Sequence, residues 1–319
     1  MSRSVTVTVP ARLHLGFLDI DGSLGRRFGS IGLSIDSPVT RVTISRAARD
    51  VVEGCERARA ARYLETMRQA LQLEARHHLV VEEASPPHAG LGSGTQIALA
   101  VATALRKLHA LSPDVRGDAE RLGRGGRSGV GIGLFEQGGV VLDGGRTDGS
   151  GPAPILVRLP FPEAWRILLI SDPAADGIHG ERELNAFADL KPFPEAAAAH
   201  LCHLVVLGVL PALIEQDIGS FGDGVTEIQA VVGDWFASAQ GGRFASARVA
   251  ASMEKLAAAG ARGIGQSSWG PTGFAFAQSQ QQAERLAAAL TGSTDIDCRI
   301  VRGNNRGAVI TSKEAAAIA

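Results

Sequence analysis

Gly90, Gly92 and Gly94 alternate with Leu91, Ser93 and Thr95 in the run from Pro86 to Gln96. Glycine lacks Cβ, so such a backbone can turn sharply and approach a ligand closely. The run lies between a strand-like and a helix-like segment. Free N–H groups at the start of that helix, its positive dipole end and two hydroxyls suit a phosphate or pyrophosphate. The run is not a Walker A loop, because no GK[ST] follows, and it matches G-x-G-x-x-G poorly. A tight strand-to-helix turn with Ser93 or Thr95 as N-cap would use the same residues without a ligand.

The elements that must hold this loop follow from hydrophobic periodicity. Val5, Val7 and Val9 alternate and predict a strand over 4–9, followed by a glycine-rich stretch over 11–36 and a second strand over 40–45. The pattern predicts a helix over 56–74, a strand over 79–83 and a helix from the glycine loop to His109. Ile97, Val101, Leu105 and Leu108 form the apolar stripe of that last helix. Residues 117–151 read as a second glycine-rich region, and 165–171 as a buried strand. Helices are predicted over 195–216, 225–239, 245–260 and 279–290, with strands at 272–277 and in the two terminal runs CRIVR and AVIT. Strands come first and then mix with helices, which predicts an α+β fold. A weak boundary near 150–162 predicts two units, 1–155 and 156–319.

The composition narrows the function classes. The 319 residues carry 32 Lys plus Arg against 33 Asp plus Glu, a net of −1, which argues against a nucleic-acid partner. Cys55, Cys202 and Cys298 are three and widely spaced, so neither a disulfide framework nor a structural zinc site is expected, and a reducing cytoplasm fits. The N-terminus lacks the apolar core of a signal peptide. The apolar run Leu204–Ile214 is too short to span a bilayer and reads as a buried core helix, with no membrane partner expected.

Three segments in order carry a resemblance. Pro10-Ala11-Arg12-Leu13-His14-Leu15-Gly16, the Pro86–Gln96 loop and a late glycine-rich loop entering a strand resemble the GHMP kinase superfamily, which implies two α+β lobes with the phosphate loop between them. In those kinases a run like S-G-x-D-x-A-x-x-x-x-G-G supplies the catalytic Asp. Here Ser128-Gly129-Val130-Gly131 places Gly131 at that position, and Arg12 stands near where many members carry Lys. A hydrogen atom cannot accept a hydroxyl proton, so the kinase chemistry is expected to be lost. Glu136 and Asp143 lie nearby at the wrong spacing.

Residues 12–36, 126–145 and 265–276 are, more narrowly, similar to the β-ribofuranosylaminobenzene 5′-phosphate synthase family of tetrahydromethanopterin biosynthesis. The resemblance implies a phosphoribosyltransferase that joins 4-aminobenzoate to phosphoribosyl pyrophosphate and releases CO2 and pyrophosphate, with Mg²⁺ and without ATP turnover. A homodimer is common in that family. On this reading Gly90, Gly92, Ser93, Gly94, Thr95 and Gln96 bind the pyrophosphate. Arg26 binds the benzoate carboxylate or a phosphate, with Arg27 beside it. Asp19 holds Mg²⁺ or stabilises positive charge. His14, Arg127 and Ser128 join the substrate-binding set, Arg121 and Arg124 recur in step with Arg127, and His179 and Glu183 are candidates for proton transfer. Ser267, Ser268 and Thr272 offer polar groups, and Trp269 offers a face for the aminobenzene ring.

Overall fold

In the computed structural model residues 2–175, 177, 180, 190–292 and 295–314 are described. The chain opens with a long antiparallel hairpin, β1 (Ser2–Asp19) and β2 (Phe28–Ala47). Next come β3 (Val51–Gly54), α1 (Arg57–Ala70), β4 (Arg76–Glu83) and α2 (Ser93–Leu108). The short helices α3 (Val115–Arg121) and α4 (Val130–Gln137) lead into β5 (Val140–Asp143), β6 (Ile155–Leu159) and β7 (Arg166–Ser171). Helix α5 (Glu195–Leu204) continues through a π-helical turn, Val205–Val209, into α6 (Leu210–Glu215). Then follow α7 (Ile218–Gln240), α8 (Ala247–Ala258), β8 (Arg262–Gln266), β9 (Gly273–Ala277), α9 (Gln280–Ala288), β10 (Asp297–Val301) and β11 (Val309–Glu314).

Two sheets result. The first runs β11-β1-β2-β4-β3, with β5 paired to the first part of β2 and β6 to β5. The second runs β10-β7-β9-β8. All pairings are antiparallel except β3 with β4. The division expected at residue 155 falls at the start of β6, and β11 returns from the end of the chain to the first sheet.

The glycine-rich stretch 11–36 is not a loop. Most of it is the inner half of the hairpin, where both faces are buried: Leu13, Ile31, Leu33 and Ile35 are fully covered, and the residues between them, His14, Ser30 and Ser34, are buried too. The glycines and the buried polar residues between its apolar positions masked the strand in the sequence. Helix α2 buries its expected stripe together with Tyr63 and Met67 of α1 and Val7, Val42 and Ile44 of the hairpin. It also buries Ala98, Ala100, Ala102 and Ala104, so it is covered nearly all round. A second core gathers Phe161, Trp165, Phe221, Phe274 and Phe276 between α7 and the second sheet. The other face of that sheet is covered by α8 and α9 through Val249, Met253 and Leu286.

The helix expected over 195–216 forms as the continuous run Glu195–Glu215, and its apolar part is buried on one side only. Glu195–Glu215 is long and apolar enough by composition to cross a membrane. Leu201, Val205, Val209 and Leu213 face the core, whereas Val206, Leu207 and Ile214 are exposed.

A candidate anion-binding site between the lobes

The loop before α2 is built by backbone conformations that favour glycine. Gly90 and Gly92 have φ of +79° and +84°. Gly92 is the N-cap of α2 and no side chain caps the helix, so neither Ser93 nor Thr95 serves as N-cap. The Thr95 and Gln96 amides turn back to the Gly92 carbonyl at 3.1 Å, whereas the Ser93 and Gly94 amides have no acceptor one turn ahead of them in the helix and suit a ligand.

A second loop, from the C-terminal half, clamps this one. A Cβ on Gly90 would lie 1.9 Å from the Ser267 carbonyl oxygen, and one on Gly270 would lie 2.1 Å from the Ala89 carbonyl carbon. The Ser267 hydroxyl donates to the Gly90 carbonyl at 2.7 Å and accepts the His14 N–H at 3.0 Å. Arg12 donates Nη1 to the same Gly90 carbonyl at 2.6 Å. Gln96 is buried behind the loop. Its Nε2 donates to the Leu91 carbonyl at 2.8 Å, and its Oε1 accepts from Thr40 at 2.9 Å and Ser85 at 2.8 Å. Gln96 and Ser267 therefore hold the loops rather than face a ligand, which corrects their expected contact with substrate. Thr272 is also buried and does not reach the cavity wall.

In front of the loop lies a cavity of about 380 Å³, within the range of ~300–1,000 Å³ usual for small-molecule sites. Its wall combines Gly90, Gly92, Ser93, Gly94 and Thr95 with four arginines, Arg12, Arg59, Arg62 and Arg124, and with Ser268, Trp269 and Gly270 opposite. The described wall contains no carboxylate. Arg59 pairs with Glu56 at 3.3 Å. Arg124 lies over the Tyr63 ring at 5.3 Å, donates to its hydroxyl, and keeps a buried Nε with no hydrogen-bond partner. Permanent cations, helix amides and hydroxyls around one space make a site for a multiply charged phosphate ester. Gly131, at the start of α4, lies behind one residue of that wall: a Cβ there would lie 3.2 Å from Thr95 Cγ2. The carboxylate missing from the sequence is thus missing beside the anion loop.

Ser268 and Trp269 also line a smaller slot of about 30 Å³, whose other walls include His14, Phe17, Gln229, Phe236 and Gln266. His14 is 3% exposed and its Nε2 is buried without a hydrogen-bond partner. Burial, reinforced by the nearby Arg12 and Arg127 charges, lowers its pKa to about 3, so the imidazole is neutral. Its ring packs on Phe17 with centroids 4.5 Å apart. Trp269 is 5% exposed and packs on Phe236 at 4.2 Å. It is a wall shared by cavity and slot, not the exposed stacking platform that its loop position implied.

The remaining expected residues are placed elsewhere. Asp19 caps its own turn, accepting from the Gly22 N–H at 2.8 Å and from the Ser23 N–H and hydroxyl at 2.8 and 2.7 Å. Arg26 spans the Gly144 and Gly145 carbonyls, each at 2.8 Å, and Arg27 lies over the Phe28 ring. None of the three lines the cavity or the slot. Ser128 donates to Asp143 at 3.2 Å. Asp143 also takes the Gly129 and Gly145 amides at 2.8 and 2.9 Å, and burial pushes its pKa up. It braces the α4 turn and does not replace the lost Asp. Arg121 is tied to Asp118 of α3 and to Asp114, the N-cap of that helix. His179 and Glu183 lie outside the described residues. Among the described residues no cluster of three His, Cys, Asp or Glu could hold a metal. Asp19, the expected Mg²⁺ ligand, has its carboxylate committed to its own turn. Sequence reading missed Arg59 and Arg62 because arginines three apart on a helix look like an ordinary solvated face.

Residues 57–134 match the GHMP kinases N terminal domain family, and residues 209–294 match the GHMP kinases C terminal family. Solved structures with this fold include mevalonate diphosphate decarboxylase from Staphylococcus aureus, at TM-score 0.69 and 13% identity over 98% of this chain and 99% of that one. A homoserine kinase from Cytophaga hutchinsonii superimposes at TM-score 0.65 with 17% identity over 98% of both chains. Two curated relatives are named beta-ribofuranosylphenol 5′-phosphate synthase. The protein from Archaeoglobus fulgidus is 32% identical over 94% of this chain and 97% of its own length. The one from Methanothermobacter thermautotrophicus is 30% identical over 95% and 97%. The expected α+β GHMP fold and the narrower resemblance both hold, and the chain belongs to the beta-ribofuranosylphenol 5′-phosphate synthase family.

Proposed function

We propose that this enzyme transfers the 5-phosphoribosyl group of phosphoribosyl pyrophosphate to the carboxyl-bearing ring carbon of a para-substituted benzoate, releasing CO2 and pyrophosphate. The observation that carries this reading is the four-arginine cavity around the glycine loop, with Gly131 packed against Thr95 of its wall. The site is built to receive a pyrophosphate and has no carboxylate there to take a proton from an attacking alcohol. Arg12, Arg59, Arg62, Arg124 and the amides of α2 stabilise the charge that develops as pyrophosphate leaves. Mg²⁺ enters the proposal as a companion of the donor's pyrophosphate, because the described wall offers it no carboxylate, and no step is routed through it.

The relatives' name puts a phenol in their product, whereas the resemblance read from the sequence put an aminobenzene there. The two acceptors, 4-hydroxybenzoate and 4-aminobenzoate, differ only in the para group, and both belong to the proposal. A place in tetrahydromethanopterin biosynthesis, a cytoplasmic location and a homodimer are part of the same reading. Calorimetric titration tests the donor site. Wild type is expected to bind phosphoribosyl pyrophosphate, and Arg12→Ala and Arg124→Ala each to lose about tenfold in affinity, ~1.4 kcal/mol. Unchanged affinity in both variants would place the donor elsewhere.

A further inference from the structure

We propose that His14 Nε2 receives the hydrogen bond, and during reaction the proton, of the acceptor's para hydroxyl or amino group. The inference rests on the reading above that the acceptor is a para-substituted benzoate.

The position of His14 is built by the fold. The β1–β2 register shifts between His14 and Gly16, leaving Leu15 as an extra residue on β1. A bulge of this kind re-aims the side chains beside it. The bulge is braced from the C-terminal half: Gln229 donates Nε2 to the Leu15 carbonyl at 2.7 Å, and its Oε1 accepts the Gln266 N–H at 2.7 Å. Gln266 in turn donates to the Ser268 carbonyl at 3.0 Å. A buried nitrogen without a partner costs about 1–3 kcal/mol. Here that nitrogen belongs to a residue lining a slot walled by Phe17, Phe236 and Trp269.

The dimensions set the division of the acceptor. The slot's 30 Å³ exceeds the ~10–15 Å³ needed for one water-sized group and is too small for an aromatic ring. The adjoining cavity shares Ser268 and Trp269 with it and has about 380 Å³. On this proposal the acceptor's ring lies in the cavity and only its para substituent enters the slot, past Ser268 and Trp269. That orientation turns the opposite, carboxyl-bearing carbon towards the glycine loop and the donor.

The chemistry balances. An electron pair of the ring forms the bond from the carboxyl-bearing carbon to the anomeric carbon. The anomeric C–O bond breaks and its pair leaves with pyrophosphate. The ring is then cationic, and the para O–H or N–H, conjugated to that charge, becomes strongly acidic. A neutral imidazole accepts the proton. The bond to the carboxylate breaks, its pair restores the aromatic ring, CO2 leaves, and the para group regains its proton from His14. No proton is gained or lost overall, and no oxidant or reductant is needed.

The test compares binding of 4-hydroxybenzoate and benzoate in the presence of pyrophosphate, alongside turnover. Wild-type release of pyrophosphate from the acceptor and donor tests the underlying reading separately. Given that turnover, wild type is expected to prefer 4-hydroxybenzoate by about tenfold or more. His14→Phe is expected to lose that preference and at least tenfold in kcat, with KM for the donor within about threefold. His14→Gln, whose amide oxygen can accept a hydrogen bond, is expected to retain the preference. An undiminished preference in His14→Phe would overturn the proposal. If that variant does not fold, the wild-type ¹⁵N resonance of His14 Nε2 decides: it should move with 4-hydroxybenzoate and not with benzoate, and equal shifts would overturn the assignment.

Discussion

Gly131 carries a hydrogen beside the first turn of α2, with Thr95 Cγ2 only 3.2 Å from where its Cβ would be. A carboxylate introduced there would compete with an anionic ligand for the same helix amides and arginines. Gly131→Asp is therefore expected to weaken phosphoribosyl pyrophosphate binding by about tenfold, ~1.4 kcal/mol, measured by titration. Wild-type affinity in that variant would separate position 131 from the donor site. Gln96 makes the complementary case. Replacing it with Leu removes the amide oxygen and nitrogen at the centre of a buried network and leaves Thr40, Ser85 and the Leu91 carbonyl short of bonds. A loss of about 2–3 kcal/mol in denaturant-midpoint analysis is expected. The sequence showed the glycine loop and the missing Asp, because both are local patterns. It could not show that Gln96 turns inward or that Arg26 spends its guanidinium on the Gly144 and Gly145 carbonyls, since those partners come from segments far along the chain.

The elements around the site are joined by backbone packed on backbone. The loop before α2 and the Ser267–Gly270 turn approach so closely that a Cβ on Gly270 would lie 2.1 Å from the Ala89 carbonyl carbon. Neither backbone can retreat without losing the Ser267–Gly90 hydrogen bond. Gly270→Ala should lower both melting temperature and donor affinity; a variant that melts and binds like wild type would show that the clamp is dispensable. Most strands and helices were legible from period and turn residues. The exceptions are the inner hairpin, masked by its glycines and buried polar residues, the short strands β3, β6 and β8, and α3, α4 and β5, which lie in a glycine-rich stretch whose order comes from Asp143 and the packing of Val130, Leu134 and Val141. The bulge at Leu15, on which His14 depends, leaves no trace in the alternation of β1.

Across the whole molecule the site lies where the two halves meet, so global stability and function share groups. His14 and His77 are buried, and burial first, then neighbouring positive charge, lowers their pKa from 6.5 to about 3 and about 4. His109, whose Nε2 lies 2.8 Å from that of His77, is also lowered, again first by burial. Because the folded values lie below the unfolded one, the unfolded chain takes up protons first on acidification. Their stabilising effect is full above pH 6.5 and is lost as pH falls towards the folded values, about 4 for His77 and about 3 for His14. Unfolding free energy should therefore be smaller at pH 5 than at pH 7, each histidine contributing up to ~1.4 kcal/mol per pH unit, and His77→Phe should flatten the decline. A pH-independent value between 7 and 5 would contradict these shifts. The central claim concerns the reaction itself. Purified protein should be mixed with phosphoribosyl pyrophosphate, Mg²⁺ and either 4-hydroxybenzoate or 4-aminobenzoate, with no ATP, and CO2 and pyrophosphate measured together. Release of the two in equal amounts with formation of an aryl C-riboside is the expected result; no release from either acceptor would contradict it.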